Sequence, residues 1–169
     1  MKNTNLLFSK KQIRQITLKN RIAISPMCNY SAKDGFANEW HLVHLGKFAQ
    51  GGAGIVFTEA AAVESTGRIT HGDLGIWSDD HIPGLKQISD FIKTQNCVPA
   101  IQLAHAGRKA SMQRPWHGNG PLDKTDTDRG ENTWNINAPS PIPVGEGFLV
   151  PHELTLDEIK RIQNSWGEA

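Results

Sequence analysis

The sequence predicts an α/β fold, a (β/α)8 TIM barrel of which this chain covers roughly the first three βα units. Three short apolar runs predict buried parallel strands, because each is nearly continuous in apolar character: residues 21–25, 54–59 and 98–103. Helical patterns separate the runs, and this alternation predicts right-handed crossovers between parallel strands. Periodicity alone leaves a doubly wound sheet open as the alternative.

The residues that follow the predicted strands favour the barrel. Chemically distinctive segments fall at the carboxyl end of each run: Ser25-Pro26-Met27-Cys28, Glu59-Ala60 and Gln102-Leu103-Ala104-His105. In a barrel, this end of the strands is the catalytic face.

Three helices are predicted between and after the strands. The first spans residues 38–50, carries Trp40, Val43, Leu45 and Phe48, and stops at Gly51 and Gly52. The second is capped by Asp79 or Asp80 and presents Leu85, Ile88, Phe91 and Ile92. The third follows a capping box formed by Thr155 and Glu158 and carries Leu156, Ile159, Ile162 and Trp166.

Two further segments have distinct patterns. Residues 13–19 alternate apolar and polar side chains and predict a hairpin strand that closes the bottom of the barrel. Residues 107–153 are rich in Pro, Gly, Asn and Asp, and a loop of that length is typical of a functional segment.

Composition excludes several classes of partner. Eighteen basic and seventeen acidic side chains give a net charge of +1, too balanced for general binding of nucleic acid or an anionic membrane. Neither a signal-peptide core nor a membrane-spanning run is found, so a cytoplasmic location is expected. Cys28 and Cys97 are predicted to be thiols.

Three local motifs have structural explanations beside functional ones. Gly51-Gly52-Ala53-Gly54 closes a helix before a strand, which is the reverse of a dinucleotide-binding loop. His41 and His44, near Glu39, share a helix face that suits a metal, but no third ligand has sensible spacing and a structural role is favoured. The basic and aromatic cluster suits either nucleic acid or an active-site loop: Arg108, Lys109, Arg114 and Trp116.

Two side chains at the strand ends suit redox chemistry. Cys28 follows Pro26 and is expected to face the cavity, where its sulfur either tunes a redox centre, acts as a nucleophile or is simply a small buried apolar group. The Gln102 carboxamide donates and accepts at once, as the edge of a flavin pyrimidine ring requires.

Several segments in order resemble the Old Yellow Enzyme family of NADH:flavin oxidoreductases, in its cysteine-containing branch. They are residues 25–31 (SPMCNYS), 40–44 (WHLVH), 51–60 (GGAGIVFTEA), 73–77 (DLGIW) and 102–110 (QLAHAGRKA). The resemblance implies FMN, reduced by NADPH or NADH, and hydride transfer from flavin N5 to an electrophilic alkene such as an α,β-unsaturated carbonyl.

The resemblance also implies roles for individual residues. Ser25, Pro26, Met27 and Cys28 line the flavin, the Ala60 N–H contacts the ring, and Gln102 bonds the pyrimidine edge. Tyr30 contacts substrate, and Arg108 and Lys109 lie near the mouth of the site. No metal is implied.

A whole barrel needs on the order of 250 residues. We therefore expect residues 1–169 to be the N-terminal portion of a single FMN-binding domain. The substrate-polarising pair, the proton donor and the phosphate site are assigned to no residue here, and little activity is expected from this chain alone. The alternative is a non-catalytic half-barrel that self-associates or pairs with a separate C-terminal part.

Overall fold

The computed structural model describes residues 5–169, whose first sheet is a β-hairpin. Strands β1 (Lys11–Ile13) and β2 (Ile16–Leu18) pair antiparallel around a tight turn, in which Arg14 has a φ of 50°. Lys19 Nζ donates to the Gln95 carbonyl at 2.9 Å, just before the third predicted strand begins. This contact places the hairpin at the amino-terminal edge of the main sheet, as the sequence predicts.

The main sheet has four strands, of which β4 (Ile55–Ala62) is central. Strands β3 (Ala23–Ile24) and β5 (Leu74–Gly75) pair with its two halves, and β6 (Val98–Ala104) pairs along its other edge. All of these pairings are parallel. Each of β3, β4 and β6 is followed by a helix, which is the arrangement of the first three βα units of a barrel.

One predicted strand end is wrong. The sequence ends the second strand at Glu59, but β4 continues to Ala62, whereas β6 ends at Ala104, one residue past its predicted end. The cause is β5, which the sequence does not predict and which pairs with Ala61 and Ala62. A two-residue strand has no periodicity of its own to detect.

Helix α1 (Glu39–Gln50) covers the sheet together with the next helix along the chain. Asn38 caps it, and it ends at Gly51, before Gly52 takes a φ of 97°. The predicted apolar face is partly wrong, because Trp40 and Val43 are exposed. The buried face consists of His41, Leu45, Gly46 and Ala49.

Helix α2 (Ile82–Thr94) packs against α1 and β6, and Ile88 and Ile92 are its buried residues. Its predicted cap is wrong. A 3-10 turn, Asp79–His81, leads into the helix, and Ser78 caps that turn by accepting from the Asp80 N–H at 3.3 Å. The core between the helices and the sheet contains Leu45, Ala49, Ala53, Val56, Ile88, Ile92 and Cys97.

The long loop carries structure of its own. It contains α3 (Lys124–Asp128) and a parallel pair of short strands, β7 (Asn137–Ala138) and β8 (His152–Glu153). Four more 3-10 turns are described in the chain: Leu6–Phe8, Ser65–Gly67, Gly107–Lys109 and Pro115–His117.

Helix α4 (Leu156–Glu168) begins at the predicted capping box, in which Thr155 and Glu158 bond reciprocally. No residue of α4 is buried; its anchor is Glu64, which accepts from Arg161 and from the Ser165 hydroxyl. Within residues 5–169, none of the helices has the length and apolar character to cross a bilayer.

Candidate functional site

The site begins with a pair of neighbours in the sheet. Ala60 of β4 and Gln102 of β6 are direct partners, next to a β-bulge that interrupts the register after Phe57. Gln102 is exposed, and its carboxamide makes no hydrogen bond to another described residue. The structure therefore presents a free donor and a free acceptor next to a small residue.

The chain that leaves β3 approaches the same place. Ser25 and Met27 are exposed, whereas Pro26 and Cys28 are half-buried. The Cys28 thiol lies against the backbone N–H of Ala60. The structure thus brings Cys28, Ala60 and Gln102 together, although they are distant in the sequence.

Cys28 is a neutral thiol at neutral pH. Burial raises its pKa, and the Asp73 and Glu59 carboxylates raise it further, against the opposing Ala60 N–H and Tyr30 hydroxyl. A nucleophilic cysteine requires the opposite shift, toward the thiolate. Of the interpretations that the sequence leaves open for Cys28, the environment therefore favours a polarizable contact over a nucleophile.

Tyr30 lies beside Cys28 in a constrained conformation. Its φ is 51°, in the left-handed region, and its ring meets the Trp116 ring edge-on with 6.3 Å between centroids. The Gly72 carbonyl accepts from the Ala32 N–H at 2.9 Å, so this segment is held against the loop before β5. Burial raises the pKa of Tyr30 to about 12, so the phenol is a neutral donor at neutral pH.

Asp73 is a site residue to which the sequence assigns no role. It is 3% exposed and accepts from the Ile69 N–H, the Thr70 N–H and the Thr70 hydroxyl at 2.6, 3.0 and 2.9 Å. Burial raises its pKa to about 6 despite these bonds. The signals in the sequence are its place at the start of the DLGIW segment and a Thr three residues before it, which is typical of a turn.

The two histidines of α1 do not share a site. His41 Nε2 lies 3.2 Å from Glu59 Oε1, and both side chains are almost fully buried. His44 instead stacks on Trp40 and meets Phe48 edge-on. No cluster of three metal-ligating side chains is found among residues 5–169. The structural interpretation of these histidines agrees with this geometry.

The members of the basic and aromatic cluster differ in their contacts. Arg114 forms an ion pair with Glu131, and Trp116 lies against Tyr30. Arg108 and Lys109 are exposed in a 3-10 turn and form no ion pair with any other described residue.

Known flavin oxidoreductases resemble this chain in sequence. The model of the NADH:flavin oxidoreductase / NADH oxidase family matches residues 6–169. An NADH:flavin oxidoreductase of Gibberella zeae is 41% identical over 161 residues, which is 95% of this chain and 38% of that protein. An NADPH dehydrogenase of Listeria monocytogenes is 42% identical over 158 residues, 92% of this chain and 41% of that protein.

Solved structures show the same fold. Morphinone reductase in complex with tetrahydroNAD superposes with a TM-score of 0.75 at 22% identity, over 96% of this chain and 44% of that one. Old Yellow Enzyme from Pichia sp. AKU4542 gives 0.77 at 20% identity, over 96% and 41%. These are TIM barrels, so the chain is a partial barrel.

The chain spans about two fifths of the length of the curated relatives that it matches. The cofactors that the sequence predicts, FMN and NADPH or NADH, are those of the family. The chain belongs to the NADH:flavin oxidoreductase / NADH oxidase family.

Proposed function

We propose that the protein carrying this chain is an FMN-dependent NAD(P)H oxidoreductase of the ene-reductase type, acting on activated alkenes such as α,β-unsaturated carbonyls. The observation that carries the proposal is the convergence of Cys28, Ala60 and Gln102 at the carboxyl ends of neighbouring strands. Residues 1–169 are then the N-terminal portion of one FMN-binding barrel domain, working in the cytoplasm.

The described residues suit an isoalloxazine ring. The free carboxamide of Gln102 donates to and accepts from the pyrimidine edge, and the small Ala60 side chain permits close approach of the backbone. The segment from Ser25 to Cys28 covers the ring from the end of β3. FMN bound there would supply hydride transfer from NADPH or NADH to the β-carbon of the alkene, with the balancing proton coming from a donor outside this chain's assigned residues.

Two side chains act next to the ring. The Cys28 thiol, kept neutral by burial, contacts the ring and adjusts its affinity for electrons. The Tyr30 phenol, also neutral, donates a hydrogen bond to a substrate oxygen. Arg108 and Lys109, exposed in their turn, lie at the mouth of this site.

The test uses the longest natural protein that carries this chain. We expect it to purify with FMN, to be reduced anaerobically by NADPH or NADH, and to be reoxidised by 2-cyclohexenone in a stoichiometric reaction. Reoxidation by oxygen but not by the alkene contradicts the ene-reductase assignment. A protein that binds no FMN contradicts the whole proposal.

We also propose a second role, in which the chain acts as a half-barrel that self-associates or pairs with a complementary half. One surface favours this role. An apolar groove of about 400 Å³ lies between α2 and β6, where Ile82 and Ile101 are 48% and 37% exposed. Light scattering on the 169-residue chain tests self-association: we expect dimers or larger species that Ile101→Asp weakens. A monomer at high concentration contradicts self-association.

A further inference from the structure

Two buried ionisable residues lie behind the proposed site and take no part in the ring contacts proposed above. Glu59 of β4 and His41 of α1 are each 2% exposed, and His41 Nε2 lies 3.2 Å from Glu59 Oε1. Removing two such polar side chains from water is costly unless both are hydrogen-bonded elsewhere, because their facing atoms, His41 Nε2 and Glu59 Oε1, have no hydrogen-bond partner among the described residues. Their other bonds therefore show what the pair holds in place.

The His41 ring is fixed by the start of its own helix. Its Nδ1 lies 3.1 Å from the backbone N–H of Asn38 and 3.0 Å from Asn38 Oδ1. The N–H can only donate, so Nδ1 is its acceptor and the proton of the neutral ring belongs on Nε2, facing Glu59. The Glu59 carboxylate thereby lies against the side chain that completes the cap of α1.

The second oxygen of Glu59 points toward the site. Oε2 accepts from the backbone N–H of Asn29 at 3.0 Å, and Asn29 stands between Cys28 and Tyr30. The same segment is held at its far end, where Asn38 Nδ2 donates to the Ser31 carbonyl at 2.8 Å. The segment that carries both proposed functional side chains is thus bonded to Glu59 and to the start of α1.

We infer that Glu59 and His41 form a positioning pair, which holds the Asn29 backbone and so fixes the Cys28 thiol and the Tyr30 phenol relative to the site. The functional meaning rests on the function proposed above, but the geometry is a property of the chain alone. Neither residue touches substrate or ring. Both act through the bond to Asn29. A carboxylate is suited to this because Oε2 accepts from Asn29 while Oε1 faces His41 Nε2 at 3.2 Å, which is ion-pair distance without hydrogen-bond geometry.

The charges around the thiol are specified by the same geometry. Cys28 faces the Asp73 and Glu59 carboxylates and the Tyr30 hydroxyl. His44 lies one turn along α1 from His41; burial lowers its pKa, and the Glu59 carboxylate opposes that shift without a hydrogen bond to His44. Substitution of Glu59 therefore changes both the position and the electrostatics of Cys28, and an experiment can separate the two.

The experiment measures alkylation of Cys28 by iodoacetamide in the 169-residue chain without FMN, with peptide mass mapping to separate it from Cys97. Cys97 is 4% exposed in the core between the helices and the sheet and reports global opening. The rate at pH values above the thiol titration reports position and mobility, whereas the midpoint of the pH profile reports charge.

We expect Glu59→Gln to raise the high-pH rate at Cys28 about fivefold or more, because an amide has one oxygen, so an N–H must then face either the Asn29 N–H or His41 Nε2. The midpoint of its pH profile shifts to lower pH, because a negative charge near the thiol is lost. His41→Leu also raises the rate, since the carboxylate loses its partner. The matched control His44→Leu leaves both cysteines unchanged.

The double variant His41→Leu with Glu59→Gln is the decisive measurement. The Gln oxygen then serves Asn29 alone, so the Cys28 rate returns toward that of the unaltered chain. Parallel increases at Cys28 and Cys97, or a double variant worse than both single variants, overturn the inference in favour of a purely structural role. So does equal reactivity of both cysteines in the unaltered chain. None of these readouts involves FMN, so failure of the proposed function is seen separately.

Discussion

Ala60 and Gln102 are direct partners in the parallel register of β4 and β6, and the carboxamide of Gln102 has no bond to another described residue. A small residue of the central strand β4 and a free amide of the edge strand β6 thus lie side by side. We predict that Gln102→Leu weakens FMN binding in the protein that carries this chain. A flavin edge left unsatisfied forfeits about 1–3 kcal/mol.

Fluorescence titration with FMN measures this loss. Gln87→Leu is the matched control, because Gln87 is exposed on α2, away from the strand ends. A change in the dissociation constant of Gln102→Leu below about twofold, which is roughly 0.4 kcal/mol, shows that the pyrimidine edge lies elsewhere.

Cys28→Ala is expected to lower the flavin midpoint potential while FMN stays bound. The neutral thiol is a weak donor that favours the more electron-rich, reduced ring, and a contact worth about 1 kcal/mol corresponds to roughly 20 mV for a two-electron couple. Redox titration against a reference dye measures it, with Cys97→Ala as control. Indistinguishable potentials for Cys28→Ala and the unaltered protein contradict the proposed contact.

Asp73 predicts a specific pH dependence of stability. Its pKa in the fold is about 6, above its ordinary value of 3.8, so the folded state binds the proton more tightly than the unfolded state. Protonation of Asp73 therefore adds about 3 kcal/mol to the free energy of unfolding below about pH 4, and this contribution is lost as the pH rises through 6. Urea denaturation between pH 4 and 7 measures it.

The slope of the free energy of unfolding against pH separates the contribution of Asp73 from the others. We expect Asp73→Asn to remove that contribution and Asp80→Asn, on an exposed turn, to retain it. Equal slopes in Asp73→Asn and the unaltered chain mean that Asp73 titrates normally in the fold.

Gly72→Ala is expected to destabilise the chain by about 1–3 kcal/mol, because an added Cβ collides with the backbone carbonyl of Tyr30, which cannot move as a side chain does. Gly167→Ala is the matched control: nothing lies near its Cβ, and alanine favours the helix by about 0.5–1 kcal/mol. Thermal denaturation compares the two. A Gly72→Ala variant as stable as the unaltered chain shows that the Tyr30 segment is not held against this loop.

Asn38→Ala is expected to lower the free energy of unfolding by about 1–2 kcal/mol. The Asn38 side chain accepts from the Trp40 N–H at 3.0 Å and donates to the Ser31 carbonyl at 2.8 Å. Asn38→Asp keeps the cap and loses only the second bond, so a smaller loss is expected. Equal losses for the two variants assign the whole effect to Ser31.

The sequence by itself determined the features that short-range patterns specify. The strands around Ile24, Val56 and Ile101 are continuous apolar runs, and the start of α4 is specified by two residues of a capping box three positions apart. The motifs at the strand ends identified the family, because residue types in a fixed order need no coordinates to be compared.

Only the tertiary structure decided the contacts between distant segments. The strand β5 is defined by its pairing with Ala61 and Ala62 and by the bond from the Gly75 N–H to the Gly35 carbonyl. On α1, Trp40 is exposed while His41 is buried against a carboxylate of β4. The bond from Asn29 to Glu59 joins residues 30 positions apart. Hydrogen bonds and ion pairs of this kind depend on which groups the packed sheet brings within about 3 Å, and local propensity carries no information about that distance.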